Sequence, residues 1–447
     1  MQTATPSSAR VDFTVAPGGM LRGKLAVPGD KSISHRALLL GAIAEGETRI
    51  SGFLPGADCL ATLAAVRALG VKVDMPAVDR VHVQGRGLMG LSAPKAPLDL
   101  GNSGTAMRIL MGLLAGQEFA AKLVGDESLS RRPMQRVIAP LTAMGAQIES
   151  SNGCAPLTVR GIRPLKPLRY MLPVASAQVK SALLLAGLYA GGYSWVKEPR
   201  LSRDHTERML NAFGHGYLRE NGWLGIHGGG TLHATQIEIP GDLSSAAFFL
   251  AGAAMTPGSR LRLENVGVNP SRDGVIRLLQ EMGAHIELQN PRLWGAEPVA
   301  DIEVRGATLR GIDIGPEQVV LAIDDIPALL IAAAAAKGVT RVRGAGELRV
   351  KESDRLAAMQ EGLQQLGVPV EAQQDDISVT GVDSFRGASI RSRGDHRIAM
   401  AFAVAGLRAA APLSILDCRN VDTSFPGFAE LAQSAGLDIS LHMVQTA

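Results

Sequence analysis

The sequence predicts an α/β protein of two domains, each built from three copies of one helix-and-strand unit. Three observations carry that expectation. Six segments read as an amphipathic helix stopped by Gly and followed by a short strand: VRALGVKV, LTAMGAQI, LNAFGHGY, LQEMGAHI, LQQLGVPV and AQSAGLDI. Six further segments, one ahead of each, are apolar on every face. A Pro-Gly-Asp turn precedes the first unit at Pro28-Gly29-Asp30 and the fourth at Pro240-Gly241-Asp242, 212 positions later.

The stopping glycines are Gly70, Gly145, Gly214, Gly283, Gly367 and Gly436, spaced 69 to 84 residues apart. Glycine there suits a left-handed C-cap, where a side chain would clash. One or two such matches would be ordinary α/β structure; six at near-equal spacing indicate duplication. The apolar segments are ALLLGAIAEG, AMRILMGLLAG, SALLLAGLYAGG, AAFFLAGAAMTPG, ALLIAAAAAKG and AMAFAVAGLRAA. A helix apolar all round is buried all round, and these are too short to cross a bilayer. The expected unit is a buried helix, a strand, a solvent-facing helix and one or two further strands. Repeats one to three occupy 31–239. Repeats four to six, with the first thirty residues, make a domain of 1–30 plus 240–447. The chain would cross between them at 28–30 and 240–242, the expected hinges.

Composition narrows the function classes. The 447 residues allow two or three domains at roughly 150 residues each. With 46% hydrophobic and 19% charged residues, the chain can bury a large aliphatic core, which excludes disorder and collagen-like repetition. A net charge of +3 argues against a nucleic-acid coat. Arginine outnumbers lysine 35 to 10, so guanidinium groups are available for oxyanions. Cys59, Cys154 and Cys418 are far apart, and no spacing suggests a disulfide framework or a metal site. Met1 to Arg10 is polar, and the longest uncharged stretch, Leu243 to Ser259, contains Ser, Pro and Gly. The expectation is a cytoplasmic chain without membrane partners, cofactor or metal.

Polar clusters stand where buried helices begin. They are Asp30-Lys31-Ser32-Ile33-Ser34-His35-Arg36, Gly101-Asn102-Ser103-Gly104-Thr105, Ser176-Ala177-Gln178-Val179-Lys180, Asp324-Asp325-Ile326-Pro327 and Arg393-Gly394-Asp395-His396-Arg397. Ser32, Ser34, Ser176 and Asp324 each suit an N-cap, and Lys351 to Arg355 alone suits a solvated helix start. At matching repeat positions, the joint pattern points instead to one end of each domain, where unpaired N–H groups attract phosphates and carboxylates. Other signatures fail. Gly29 to Ser32 lacks the spacing of a P-loop, and Gly85 to Gly90 matches GxGxxG but is followed by Pro94 and Pro97, so it reads as a turn.

The motifs PGDKSISHR, GNSGTAMR, SRRP, SAQVKSALLLAGL, SRDHTERML, IDDIP, LRVKESDRL and GDHRIAM together resemble the enolpyruvyl transferase family over essentially the whole chain. SAQVK and RDHT resemble its class II branch. The resemblance implies a two-domain inside-out α/β barrel-like fold, each domain three repeats of a βαβαββ-type unit with buried apolar helices. The implied activity transfers the enolpyruvyl group of phosphoenolpyruvate to the 5-hydroxyl of shikimate 3-phosphate, releasing phosphate, in the shikimate pathway. By motif match, Lys31, Ser32, Arg36, Ser176, Ala177, Gln178, Arg203, Asp324 and Lys351 would meet shikimate 3-phosphate. Lys31, Gly104, Arg132, Gln178, Arg355 and Arg397 would hold phosphoenolpyruvate. Asp324 matches the base near the 5-hydroxyl, Glu352 the carboxyl at the methylene, and Lys31 a group serving electrostatics or proton transfer. The partners implied are these two substrates, in a monomer.

Three positions depart from the family pattern. Thr423 stands where many members carry Lys, Glu347 where class I members often carry Asn, and Ile109 where Pro is common. Gly104 is the residue of glyphosate-sensitive members, and glyphosate is expected to compete with phosphoenolpyruvate. Two rival readings are the sister enzyme acting on UDP-N-acetylglucosamine, whose loop Cys is missing from Gly116 to Pro133, and a non-catalytic phospholigand-binding repeat protein. An RNA-terminal cyclase would need a reactive His in a different context.

Overall fold

The computed structural model describes residues 10–444; residues 1–9 and 445–447 lie outside the described residues. The six apolar segments form six helices, numbered here in chain order: α1 (Lys31–Ala42), α2 (Gly104–Ala115), α3 (Ala177–Gly187), α4 (Leu243–Met255), α5 (Ile326–Ala334) and α6 (His396–Ala405). From its second turn onward each is buried on all sides except at Arg108 of α2, and α4, α5 and α6 are buried along their full length. Close helix approach needs missing side chains. In α2, a Cβ on Gly112 would lie 2.0 Å from the Ala182 carbonyl oxygen of α3.

Each buried helix belongs to a four-stranded sheet, and the six sheets share one plan. In four of them the strand before the helix pairs in parallel with the strand after it, and in all six two antiparallel strands complete the set. Around α2, Leu98–Asp99 lies parallel to Ala120–Val124, which is antiparallel to Cys154–Arg160, itself paired with Gln147–Ser151. An amphipathic outer helix precedes the last two strands in repeats one to five; in repeat six it precedes only Ile439–Val444, and Arg10–Val15 lies between that strand and Leu413–Leu416. Each outer helix ends at the expected glycine. All six have positive φ, from +78° at Gly367 to +108° at Gly145, the left-handed geometry a side chain would strain. The GxGxxG stretch is a turn: the strand Arg80–Arg86 ends in it, with Gly87 at φ +67°, and no helix follows.

Two sheets are completed by exchange. The strand Arg22–Leu25, just before the first Pro-Gly-Asp turn, pairs in parallel with Arg260–Gly267. The strand Gln236–Glu238, just before the second, pairs in parallel with Glu45–Ser51. Where the chain crosses, the two turns hydrogen-bond to each other: Asp30 N–H donates to Pro240 O at 2.9 Å, and Asp242 N–H to Pro28 O at 2.8 Å. Only glycine fits at Gly29, where a Cβ would lie 1.8 Å from Gly52 O. The buried apolar side chains fall into two clusters. One runs from Ile33 to Ile239; the other takes Phe13 to Val27 and then Leu243 to Ile439. Among the described residues, no helix is long and apolar enough to cross a membrane, no acidic, His or Cys group could hold a metal ion, and all three cysteines are free.

Candidate active site

All six buried helices begin at one cavity. It measures about 90 Å³ and is lined by Lys31 and Ser32 of α1, Gly104 and Thr105 of α2, and Ala177 and Gln178 of α3. The other half contributes Asp242 at the start of α4, Asp324 just before α5, and His396 and Arg397 of α6. A larger cavity of about 570 Å³ adjoins it and shares Arg132, Val350, Lys351 and Glu352.

The caps differ from expectation. Of the four sequence candidates only Ser176 caps, accepting from Val179 N–H; the others used are Asp30, Ser103, Asp242 and Asp395. Ser34 instead accepts from Leu54 N–H, Ser32 faces the cavity, and Asp324 is an ion-pair partner. Acidic caps on α1, α4 and α6 offset the helix dipoles, so side chains rather than bare N–H groups supply most of the positive charge.

Those side chains are held by one another. Arg36, a turn along α1, donates to Thr206 Oγ1 and Ser181 Oγ, each at 2.7 Å, and to Ser32 O at 2.8 Å. Arg108 donates to Gln178 Oε1 at 2.6 Å, and Gln178 to Thr105 Oγ1 at 2.8 Å. Two carboxylates bridge the halves. Asp324 meets Arg203 at 2.6 Å and Lys351 at 3.2 Å, while Glu352 meets Arg355 at 2.5 Å and Arg132 at 3.6 Å. Lys31 pairs with Asp58 at 3.0 Å, and Arg397 donates to Asp324 O at 2.7 Å.

These pairings set protonation. Burial alone would raise the Asp324 carboxyl, but Lys351, Arg203, Arg397 and Arg355 outweigh it and hold it well below the usual range. Glu352 is likewise held well below by Arg355 and Arg132 against burial. Burial would lower the Lys31 ammonium, but Asp58 and Glu352 keep it above its ordinary value. His396 is pushed well below its usual value by burial and then by Lys31, so it stays neutral. The site is therefore a set of committed charges, with both central carboxylates ionised.

Twelve of the fourteen residues singled out in the sequence line the cavity. Ser176 sits beside it as the α3 cap, and Arg355 lies one layer back, 1% exposed, with its Nε 2.8 Å from Asp395. Thr423 lies off the cavity, its hydroxyl donating to Asn420 O, and Glu347 pairs with Arg136 at 2.8 Å. Sequence reasoning missed Asp58 and Arg272. Both sit where an outer helix begins, and a signal for them exists. Asp58, Arg132, Arg203, Arg272 and Arg355 stand 11 to 13 residues before the stopping glycines of repeats one to five. Ser271-Arg272-Asp273 repeats Ser202-Arg203-Asp204 at the same 69-residue spacing as those glycines. In repeat six the corresponding place holds the uncharged Thr423 and Ser424.

Comparison with known proteins places this geometry. The family model for EPSP synthase (3-phosphoshikimate 1-carboxyvinyltransferase) matches residues 15–431. The chain is 60% identical over 431 residues to the 3-phosphoshikimate 1-carboxyvinyltransferase of Alkalilimnicola ehrlichii, covering 96% of this chain and 97% of that protein. It is 57% identical to the enzyme of the same name from Methylococcus capsulatus, covering 96% and 99%. A solved EPSP synthase from Acinetobacter baumannii superposes with a TM-score of 0.86 at 49% identity, covering 97% of this chain and all of that one. The activity is the one the resemblance implied, in place of transfer to UDP-N-acetylglucosamine or non-catalytic binding. The chain belongs to the EPSP synthase family and carries its 3-phosphoshikimate 1-carboxyvinyltransferase activity.

Proposed function

We propose that the two apolar clusters are two domains, 31–239 and 1–30 with 240–447, each an inside-out α/β barrel-like set of three βαβαββ units. They close on the substrates about the paired Pro-Gly-Asp turns. Support for this reading comes from the exchanged strands and from a cavity built of both clusters. Because every helix start at the cavity comes from one chain, a monomer supplies a whole site.

The acceptor, shikimate 3-phosphate, lies against Lys31, Ser32, Arg36, Ser176, Ala177, Gln178, Arg203 and Lys351. Phosphoenolpyruvate lies against Lys31, Gly104, Arg132, Gln178 and Arg397, with Arg355 behind Glu352. One observation carries the reading: a single cleft collects cations from both clusters around two ionised carboxylates. Four anionic groups, a phosphate and a carboxylate on each substrate, need such a set.

Substrate anions compete with Asp324 and Glu352 for the same cations. As a phosphate takes Arg203 and Lys351, Asp324 loses the partners that depress it and becomes a stronger base. It then accepts the proton of the 5-hydroxyl as that oxygen bonds to C2 of phosphoenolpyruvate. The methylene at C3 gains a proton in the same addition, giving a tetrahedral ketal. In the second step the C2–O bond to phosphate breaks, C3 gives up a proton, and the enol ether double bond forms. Phosphoenolpyruvate, taking Arg132, likewise relieves Glu352, which takes up a proton from solvent before closure, delivers it to C3 in the addition and takes it back in the elimination, while Lys31 neutralises charge on the departing phosphate. Closure excludes water from the cleft and strengthens each of these interactions.

Arg203→Gln tests the acceptor site. Loss of one charge-assisted contact should raise KM for shikimate 3-phosphate by about ten- to a hundredfold and leave KM for phosphoenolpyruvate within about threefold. An equal rise in both, or in neither, would overturn the assignment. Steady-state phosphate release reads it.

A further inference from the structure

Beyond the reacting groups lies a buried charge cluster that the chemistry does not use. Lys180, one turn into α3, places Nζ 2.8 Å from Glu198 Oε2 and 2.8 Å from Glu207 Oε1, and donates to Ser202 O at 3.3 Å. The three side chains are 3%, 6% and 1% exposed. Arg219 reaches Glu207 only at 3.7 Å, so Lys180 is the close cation for both carboxylates; burying such a cluster is costly and is weak evidence for stability. Geometry supplies a reason for keeping it.

The groups joined by this ammonium flank both arginines assigned to the acceptor. Glu198 also accepts from the Ser202 side chain, which closes the 198–202 turn just before Arg203. Glu207 follows Thr206, whose hydroxyl takes the Arg36 Nε at 2.7 Å. Ser181, next to Lys180 on α3, takes Arg36 Nη2 at 2.7 Å, and its hydroxyl lies 2.7 Å from that of Thr206. Burial weakens the hold of Arg36 on its proton, bringing its pKa to about 10, and Glu207 is the foremost carboxylate acting the other way. One lysine thus fixes the turn that aims Arg203 and the hydroxyl pair that aims Arg36.

We propose that Lys180 is a positioning residue for acceptor binding: it holds the 198–207 segment so that Arg203 and Arg36 grip the acceptor phosphate together. The inference rests on the acceptor site assigned above. Lys180→Met should raise KM for shikimate 3-phosphate about tenfold, leave KM for phosphoenolpyruvate within about twofold, and weaken binding of shikimate 3-phosphate alone by the same factor. Lys180→Arg, which restores the charge, should recover most of that loss. A merely structural lysine would lower the melting temperature while moving both KM values together or neither, and that result would overturn the proposal. If Lys180→Met does not fold, Glu198→Gln keeps the Lys180–Glu207 pair and loosens only the turn. A selective rise of about threefold in KM for shikimate 3-phosphate is then expected, and no selective rise would overturn the proposal. Arg203→Gln in the same assay separates the two claims. If it too leaves the acceptor KM unchanged, the site assignment fails along with the inference. If it raises that KM while the Lys180 and Glu198 variants do not, only the positioning role fails.

Discussion

Residues 31–239 line the cleft with Lys31, Arg36, Arg108, Arg132 and Arg203 against Asp58 alone, whereas 240–444 line it with Arg272, Lys351 and Arg397 against Asp242, Asp324 and Glu352. Both sides are built on the same repeated unit, so the difference lies in what the helix starts carry. A cationic surface grips anions but has no base to offer; a balanced surface carries both. Under the proposed roles the halves divide the labour, with binding weighted to the first and proton chemistry to the second. The halves touch through Arg203–Asp324 and Arg132–Glu352, which joins each proposed grip residue to a proposed proton-handling one.

The largest effect that could break this division belongs to Glu352. Neutralising it as Glu352→Gln should lower kcat by on the order of 10²- to 10⁴-fold with acceptor KM within about threefold, because a proton-transfer group is lost while the first-half grip stays. A change confined to KM would place Glu352 among the binding groups. A smaller effect sharpens the first half. A methyl on Gly104 would lie 2.9 Å from Arg108 Nη1 and 3.1 Å from Arg132 Nη1, so both guanidinium groups must give way. Gly104→Ala should raise KM for phosphoenolpyruvate several-fold with little loss of melting temperature, since only side-chain ends move. An unchanged KM would remove phosphoenolpyruvate from that wall.

The smallest effect concerns stability. His35 of the first half and His396 of the second are both held well below 6.5, chiefly by burial and then by Lys31. Their folded pKa values are depressed, so the neutral ring is favoured in the fold. The stability they contribute is complete above about pH 6.5 and is lost as pH falls toward the folded values, by about 1.4 kcal/mol per pH unit for each. Urea unfolding between pH 7 and 5 should show that slope, and His35→Gln should remove one histidine's share. An unaltered slope in the variant would show that His35 takes up its proton in the fold.

Much of this was legible in the sequence because the repeats write the same instruction six times. The stopping glycines mark left-handed caps, and helices without a polar face have nowhere to go but the core. Local crowding hid the caps: Asp30 precedes Ser32 and Ser34, and Asp325 follows Asp324, so several good cap residues stand within reach of each start. Asp58 and Arg272 escaped because one charge at the start of a solvent-facing helix looks like any other until the repeats are aligned on their glycines. The exchanged strands lie at the crossings, but their partners depend on contacts 187 and 238 residues away.

The division of labour meets its most direct test in Asp324→Asn, with equilibrium binding of shikimate 3-phosphate and single-turnover phosphate release measured on one preparation. The account predicts binding within about threefold of the parent, since the first-half cations remain, and release slower by at least about 10²-fold. Release at the parental rate, or binding lost together with release, would contradict it.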